Sequence, residues 1–494
     1  MNRILNEEML TNHGNLKGRR DAYEIMEAGL KAGDPYYNTK TIFRIEGNTL
    51  YAGGDKMFEP TNDPQSGVSE YDLSGVDRIF VVGAGKGVQR VALALEEVLG
   101  DHLTGGHVIG KHGDDVVCTK IGVTLGSHPT PDKYCVEGCQ KIYDLAKASN
   151  ITEKDLVITI AANGISSLLT LPVDGVTIDE VREMTYMMQI EKGVPTRDLN
   201  PIRNQIDKLK GGRLSRIFQP ARMIHLVVID ANQSSNAGHR SDYDYLLANN
   251  RWLHNLCDGT SFTGARASMT KWDGWDRCPK SIVNHLKNEE KPENETVRRA
   301  EFEATDFRIF GVMPDAISVW ETALKKAGEL GYNPIYFNSW CQVEAADSGA
   351  MVAQIARTCE SYKTPFKGPT ALISKGEMLV TVGDQKGVGG RNQEYCVAAI
   401  KWLDGSEKVV MAGADTDGTD GPGGFDKVMS GVPECLAGGI VDGYTFKEAA
   451  EKGVDLIEAL KTHGTSEALW KLGSGISAEH NISICDLNVT LIME

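Results

Sequence analysis

Residues 81–100, VVGAGKGVQRVALALEEVLG, carry a buried apolar run into a helical pattern through a glycine loop, and the reading of that junction decides the fold. RIFVVGAG (78–85) is a short buried-strand run, and Gly83 and Gly85 allow the backbone to turn tightly. Val88, Val91, Ala92 and Leu95 then recur at helical spacing. The stretch reads as strand, loop and helix. Two familiar loop grammars fail on it. A Walker loop needs a glycine and a hydroxyl residue where Phe80 and Gly87 stand, and a dinucleotide fingerprint needs a glycine where Val88 stands. What remains is a helix start whose free amides favour an anion, with the charge of Lys86 beside them. The bland alternative is a solvated lysine next to a turn that only reverses the chain.

Outward from this junction the same rhythm repeats. Strand-like runs recur at GHVIGK, IGVTLGS, LVITIAANG, MIHLVVIDA, RIFGV and NPIYFNS, several of them separated by helical patterns such as CQKIYDLAKAS and AISVWETALKKAGELGY. Such alternation predicts an α/β fold with a mostly parallel sheet covered on both faces. Upstream, residues 15–35 read as one helix, and TIFRIEGNTLYAGG alternates around a Gly-Asn turn. Between about 234 and 305 the texture turns polar and charged, as expected for helix and loop, and a second section starts near 368 with PTALISKGEMLVTV.

At 494 residues the chain is long enough for two to three domains. Its formal charge of −16, from 52 basic and 68 acidic residues, argues against a nucleic-acid partner, because no basic run or aromatic stripe offsets it. A small anionic substrate stays open, since a few cations and a metal reverse the field inside one cleft. The N-terminus lacks an apolar signal core and no run approaches membrane-spanning length, so the expectation is a soluble cytoplasmic protein without a membrane partner. Ten cysteines are scattered, and Cys135 with Cys139 has no second pair to complete a zinc site.

Ligands of open α/β sheets gather at the carboxyl ends of strands, so the loops that follow strands supply the candidates. In AANGISSLLTLP, Asn163, Gly164, Ser166 and Ser167 stand at an expected helix start that could offer amide and hydroxyl donors, or a simple N-cap. NQIDKLKGGRLSR sets Asp207, Lys208, Lys210 and Arg213 around a double glycine, either an anion fork or, as that stretch alone favours, a basic helix end with a glycine stop. GDQKGVGGRNQEY packs glycines before Arg391, Asn392, Gln393 and Glu394 and reads as an anion clamp. AGADTDGTDGPGG places Asp415, Asp417 and Asp420 after a strand, suited to a magnesium ion or to plain Asp-Gly turns.

These pieces resemble a known family. VVGAGKG, SHPTPD, NGISSLLTLP, LKGGRLSR, WDRCP, ISKGEMLVTV, QKGVGGRNQE and TDGTDGP occur in the order and spacing of the glycerate 2-kinase family, from about residue 20 to the end. The resemblance implies a Rossmann-like N-terminal domain over 1–305, a βα connecting segment over 306–367 and a smaller MOFRL-type α/β domain over 368–494. It also implies phosphoryl transfer from ATP, with Mg²⁺, to the 2-hydroxyl of D-glycerate or a related hydroxy acid in a cleft between the domains, giving 2-phosphoglycerate from glycerate. Lys86 and Arg391 would be catalytic cations. Gly83, Gly85, Asn163, Gly164, Ser166, Ser167, Lys210, Arg213, Gly389, Gly390 and Asn392 would contact nucleotide or phosphate. Asp230, Glu377, Glu394, Asp417 and Asp420 are the metal candidates, and a homodimer is among the assemblies considered. Read as loop residues, Lys86 and Arg391 should each be replaceable by alanine with loss of turnover but little change in folding.

The chain departs from the family where ligands are expected. AANGISSLL (161–169) stands where SGGGSALL is usual, SKGEM (374–378) replaces SGGET, and IDANQSSNAGHRSDYD and GSGISAEHNISICDL replace two further segments. A catalytically silent, ligand-binding relative is therefore the alternative. A hydroxypyruvate reductase is a more distant one, because no dinucleotide fingerprint survives.

Overall fold

The computed structural model describes residues 2–228, 242–248, 250–313, 318–384, 387–481 and 485–494, apart from the side chain of Trp340. The chain divides into two compact units, Pro35–Asp315 and the combination of Met1–Asp34 with Ala316–Glu494.

In the first unit the Gly-Asn turn closes a hairpin of β1 (Phe43–Glu46) and β2 (Thr49–Ala52), and β3 (Ser69–Asp72) completes a small antiparallel sheet. The apolar runs become β4 (Arg78–Ala84), β5 (Leu103–Lys111), β6 (Gly122–Gly126), β7 (Asp155–Ala162), β8 (Arg222–Val228) and β9 (Phe307–Gly311). Their order is β6-β5-β4-β7-β8-β9 and every neighbouring pair is parallel. All eight residues of β7 are buried, as a strand covered on both faces requires. The helix Lys133–Ala148 lays Cys135, Cys139, Ile142 and Ala146 on the core that holds Val82, Ile109 and Val157. Both cysteines are free thiols buried at helical spacing. A second cluster, built on Met184, Met188, Ile202, Phe262 and Ile282, joins the helices Ile178–Thr185, Thr196–Gln205, Phe262–Lys271 and Lys280–Asn288. The polar stretch read as helix and loop is therefore helical over much of its described length.

This strand order has a physical consequence. The chain leaves β4 toward β5 and β6 on one side, then crosses back to lay β7, β8 and β9 on the other. The connections after β4 and β7 leave toward opposite edges of the sheet at this reversal, and ligands of open α/β sheets bind at such a point.

The second unit is a mixed sheet of β10 (Asn333–Cys341), β11 (Thr370–Gly376), β12 (Val409–Asp415), β13 (Gly438–Asp442), β14 (Gly475–Ile476) and β15 (Asp486–Ile492). Its order is β10-β11-β15-β12-β13-β14, with only β10 and β11 parallel. The C-terminal strand β15 runs through the middle, buried over all seven residues. The helix Leu16–Ala32, capped by the Asn15 side chain and shorter than the 15–35 expected, belongs here, because Ile25, Met26 and Leu30 are fully buried in this unit. Arg19 Nε donates to Asp442 Oδ2 at 2.5 Å with both side chains fully buried. The units are thus bounded differently from the sequence expectation. Residues 1–34 go with the C-terminal unit, and the expected connecting segment is split, β9 closing the first sheet and β10 opening the second. Among the described residues no helix is long and apolar enough to cross a membrane.

Candidate active site

Lys86 sits in the loop between β4 and the helix Val88–Leu99. Its backbone N–H donates to Asn163 O at 2.7 Å, which bridges the β4 and β7 loops at the sheet reversal. The glycines before it serve this approach. A Cβ on Gly83 would lie 2.2 Å from Ile160 O, and one on Gly85 would lie 2.6 Å from the backbone of Ala162. Gly83 and Gly85, expected to contact phosphate, are thus required first by strand packing. The Lys86 side chain is half-buried and makes no hydrogen bond or ion pair with any described residue.

The β7 loop differs from its expectation. The helix after Gly164 is only Ile165–Leu168, too short for a macrodipole, so Ser166 and Ser167 act through their hydroxyls. Ser167 Oγ donates to Ser127 O at 3.1 Å and is buried. Ser166 Oγ lies 3.2 Å from His254 Nε2 and 3.2 Å from Asn200 Nδ2. The His128 ring closes over Gly164, where a Cβ would be 2.8 Å from it. Burial, then Lys86, Lys111 and Arg203, push the His128 pKa down to about 4, so the ring is neutral at pH 7. His128, Asn200, Arg203 and His254, which surround this loop, were not among the candidates read from the sequence. His128 lay inside a motif quoted for other reasons, whereas nothing in the local pattern marks the other three.

Lys210 and Arg213 belong to the architecture. The Lys210 ammonium is 2.6 Å from Asp207 Oδ2 and donates to Thr170 Oγ1 at 2.8 Å in full burial. Arg213 Nη1 ties the carbonyls of Asn204, Asp207 and Lys210, and Nη2 that of Asn294. The double glycine forms a turn that leads into the helix Arg213–Arg216, with Gly212 at its N-cap, so the stretch is not a basic helix end with a glycine stop. Asp230 lies outside the described residues.

In the second unit, the helix Arg391–Leu403 starts directly after Gly390. A Cβ on Gly390 would stand 2.1 Å from Asp420 O, so glycine lets the two loops touch. The Asp420 carboxylate accepts from Asn392 N at 3.1 Å and from Gln393 N at 2.9 Å. An internal anion therefore already caps this helix start, the place where phosphate was expected. Asn392 is fully buried, its Nδ2 donating to Asp486 Oδ1 at 2.7 Å. Arg391 Nε donates to Asp486 Oδ1 at 2.7 Å and Nη2 to Asp415 Oδ2 at 2.8 Å, so it is a helix residue anchored to two buried carboxylates and not a free loop cation. Its replacement is not structurally neutral, which corrects the expectation above.

Burial raises the pKa of Asp420 to about 7 and that of Asp415 well above the carboxylate range, with Asp417 adding repulsion at Asp415. Glu394 Oε1 meets His463 Nδ1 at 2.6 Å, Asp417 closes a turn onto Thr419, and Glu377 is exposed. Among the described residues no group of three or more His, Cys, Asp or Glu is placed to hold a metal ion. Beside Arg391 opens a cavity of about 560 Å³, lined by Met378, Leu379, Val380, Val388 and His463 among others.

Comparison with known proteins agrees with both halves. The family model described as a domain of unknown function, DUF4147, matches residues 21–237, and the MOFRL family model matches 370–483. A Pyrococcus horikoshii protein named glycerate 2-kinase is 26% identical over 461 residues, covering 92% of this chain and 93% of its own length. The chain belongs to the glycerate 2-kinase family. It is a divergent member, 29% identical over 429 residues to the Thermotoga maritima D-glycerate 2-kinase, with 85% of this chain and 91% of that protein covered. A crystal structure of a Thermotoga maritima glycerate kinase superposes with a TM-score of 0.67 at 26% identity, covering 96% of this chain and 99% of that one. Within this family frame Lys86 is the cation at the first unit's strand reversal, and Arg391 opens a helix of the second.

Proposed function

We propose that this chain is a kinase that transfers the γ-phosphoryl group of ATP to a hydroxyl of D-glycerate or a closely related small hydroxy acid. The supporting observation is the Lys86 ammonium, left without a partner among the described residues at the sheet reversal, in a family whose relatives are named glycerate 2-kinases. In the step, a substrate hydroxyl oxygen bonds to the γ-phosphorus, the bond from that phosphorus to the ADP oxygen breaks, and the hydroxyl proton is released. Charge builds on the phosphoryl oxygens, so a fixed cation lowers the barrier without covalent chemistry. Lys86 is assigned that role. Arg391 is the second cationic candidate, held by Asp415 and Asp486 so that its guanidinium needs no reordering. Mg²⁺ would arrive as the counter-ion of the nucleotide phosphates.

A coupled ADP-release assay with D-glycerate and a panel of small hydroxy acids tests this reading. Wild type should turn over at least one, and Lys86→Met should lose roughly 100-fold or more in kcat with an unchanged melting temperature. No ADP above background across the panel would refute the kinase reading and favour a silent ligand-binding relative.

A further inference from the structure

Arg203 lies on the helix Thr196–Gln205, 5% exposed. It makes one side-chain hydrogen bond, from Nη2 to the neutral amide Gln189 Oε1 at 2.8 Å, and no carboxylate among the described residues pairs with it. Other buried arginines are matched. Arg3 pairs with Asp34, Arg19 with Asp442 and Arg308 with Glu59, while Arg213 binds four carbonyls. Burying a cation without a counter-charge is costly, and here burial alone depresses the guanidinium pKa to about 10. The remaining charged neighbours deepen the deficit. Arg203 and Lys86 both act on the neutral His128, and Arg203 also bears on Lys210 and His254. A chain of net charge −16 thus gathers Arg203 and Lys86, neither paired with a carboxylate among the described residues, around His128 at the sheet reversal.

The same cluster holds an oriented hydroxyl. The Gly211 N–H can only donate, so His254 Nδ1 accepts it at 3.4 Å and the neutral ring carries its proton on Nε2. His254 Nε2 and Asn200 Nδ2 then both donate to Ser166 Oγ, each at 3.2 Å. With both lone pairs engaged, the Ser166 proton is available only to an outside acceptor. This tautomer also rules out His254 as a base for Ser166. Asn200 and Arg203 are three residues apart on one helix and so share a face. The π-helical turn Tyr186–Glu191, a distortion common at functional sites, supplies Gln189 to the other side of the guanidinium.

We propose that Arg203 and the Ser166 hydroxyl form the recognition site for the substrate carboxylate, so that this site selects a 2-hydroxy acid over a neutral polyol. Lys86 is left for the phosphoryl end. The inference rests on the kinase reading for its kinetic test, but its binding test stands apart.

The full chain, with Arg203→Met and Ser166→Ala, is assayed with D-glycerate and with its uncharged amide, glyceramide. For Arg203→Met, KM for D-glycerate should rise by roughly 30-fold or more while KM for ATP stays put, and the preference for glycerate over glyceramide should collapse. Ser166→Ala should raise the D-glycerate KM about tenfold. Because the removed cation has no carboxylate partner among the described residues and its one side-chain hydrogen bond goes to a neutral amide, Arg203→Met should melt close to wild type. Independently of turnover, D-glycerate should raise the melting temperature of wild type and leave that of Arg203→Met unmoved. A missing shift in wild type, an unchanged glycerate KM in either variant, or a rise in the ATP KM instead would overturn the carboxylate assignment. If wild type is stabilised by D-glycerate without releasing ADP, the kinase reading fails and the carboxylate site stands. Should Arg203→Met not fold, Ser166→Ala carries the same test.

Discussion

Arg391→Met should destabilise the protein as well as inactivate it, whereas Lys86→Met should only inactivate it. The substitution keeps side-chain volume but deletes two charge-assisted hydrogen bonds, to Asp486 at 2.7 Å and to Asp415 at 2.8 Å. The side chains left behind are 0% and 8% exposed, so water cannot replace the guanidinium. Breaking a buried pair in this way costs about 3–5 kcal/mol. Protonation of the orphaned carboxylates limits the loss, which places it near 4 kcal/mol at neutral pH, or roughly 10 °C in melting temperature for a unit of this size. Lys86 has no partner to lose among the described residues, and its replacement should stay within about 0.5 kcal/mol. Calorimetric melts of both variants at pH 7.5 and pH 5 measure the contrast. The Arg391→Met deficit should shrink at pH 5, because Asp415 and Asp486 already have raised pKa values and then take up protons more readily. A melting temperature for Arg391→Met within about 2 °C of wild type at pH 7.5 would refute the anchoring role.

Asp420 gives a pH prediction. Its folded pKa of about 7 lies above the 3.8 of a free aspartate, so its contribution is fully present below pH 3.8 and is lost as pH rises through 7. Asp420→Asn removes this titration, so urea titrations should show wild type losing up to about 4 kcal/mol relative to the variant between pH 4 and 7, and a parallel pH dependence would count against the shift. A fragment beginning at residue 316 should be insoluble alone and rescued by fusing residues 1–34, which carry Arg19 and the buried face of the helix Leu16–Ala32. Independent folding of the bare fragment would show that those contacts are dispensable. Gly83→Ala should fail to accumulate as folded protein, because its Cβ would sit 2.2 Å from a backbone oxygen of the neighbouring strand. A cooperative melt near that of wild type would contradict that packing.

Much of the first unit was legible because it is local. The β4 run, its glycine turn and the helix beginning at Val88 are contiguous, and each reports its state through period and composition. The residues around the site were only partly legible. Lys86 and Arg391 stood out as cations beside glycines, but one proved unpartnered and the other anchored, a difference written by Asp415 and Asp486, which lie 24 and 95 positions away. The aspartate loop looked like a metal site, and Asp420 turned out to cap the helix that begins at Arg391, with its oxygens on Asn392 and Gln393. A carboxylate looks the same in sequence whether it faces a cation or an amide.

By itself the sequence determined the α/β rhythm, the two-section layout and the family, because those depend on apolar periodicity and on short glycine-bearing motifs read within a few residues. Only the tertiary structure decided that residues 1–34 complete the C-terminal unit, that β4 and β7 meet at the strand reversal, and that Arg203 is buried without a counter-charge among the described residues. Burial and pairing are properties of what surrounds a group, and here the surroundings come from segments tens to hundreds of residues apart, which local pattern does not encode.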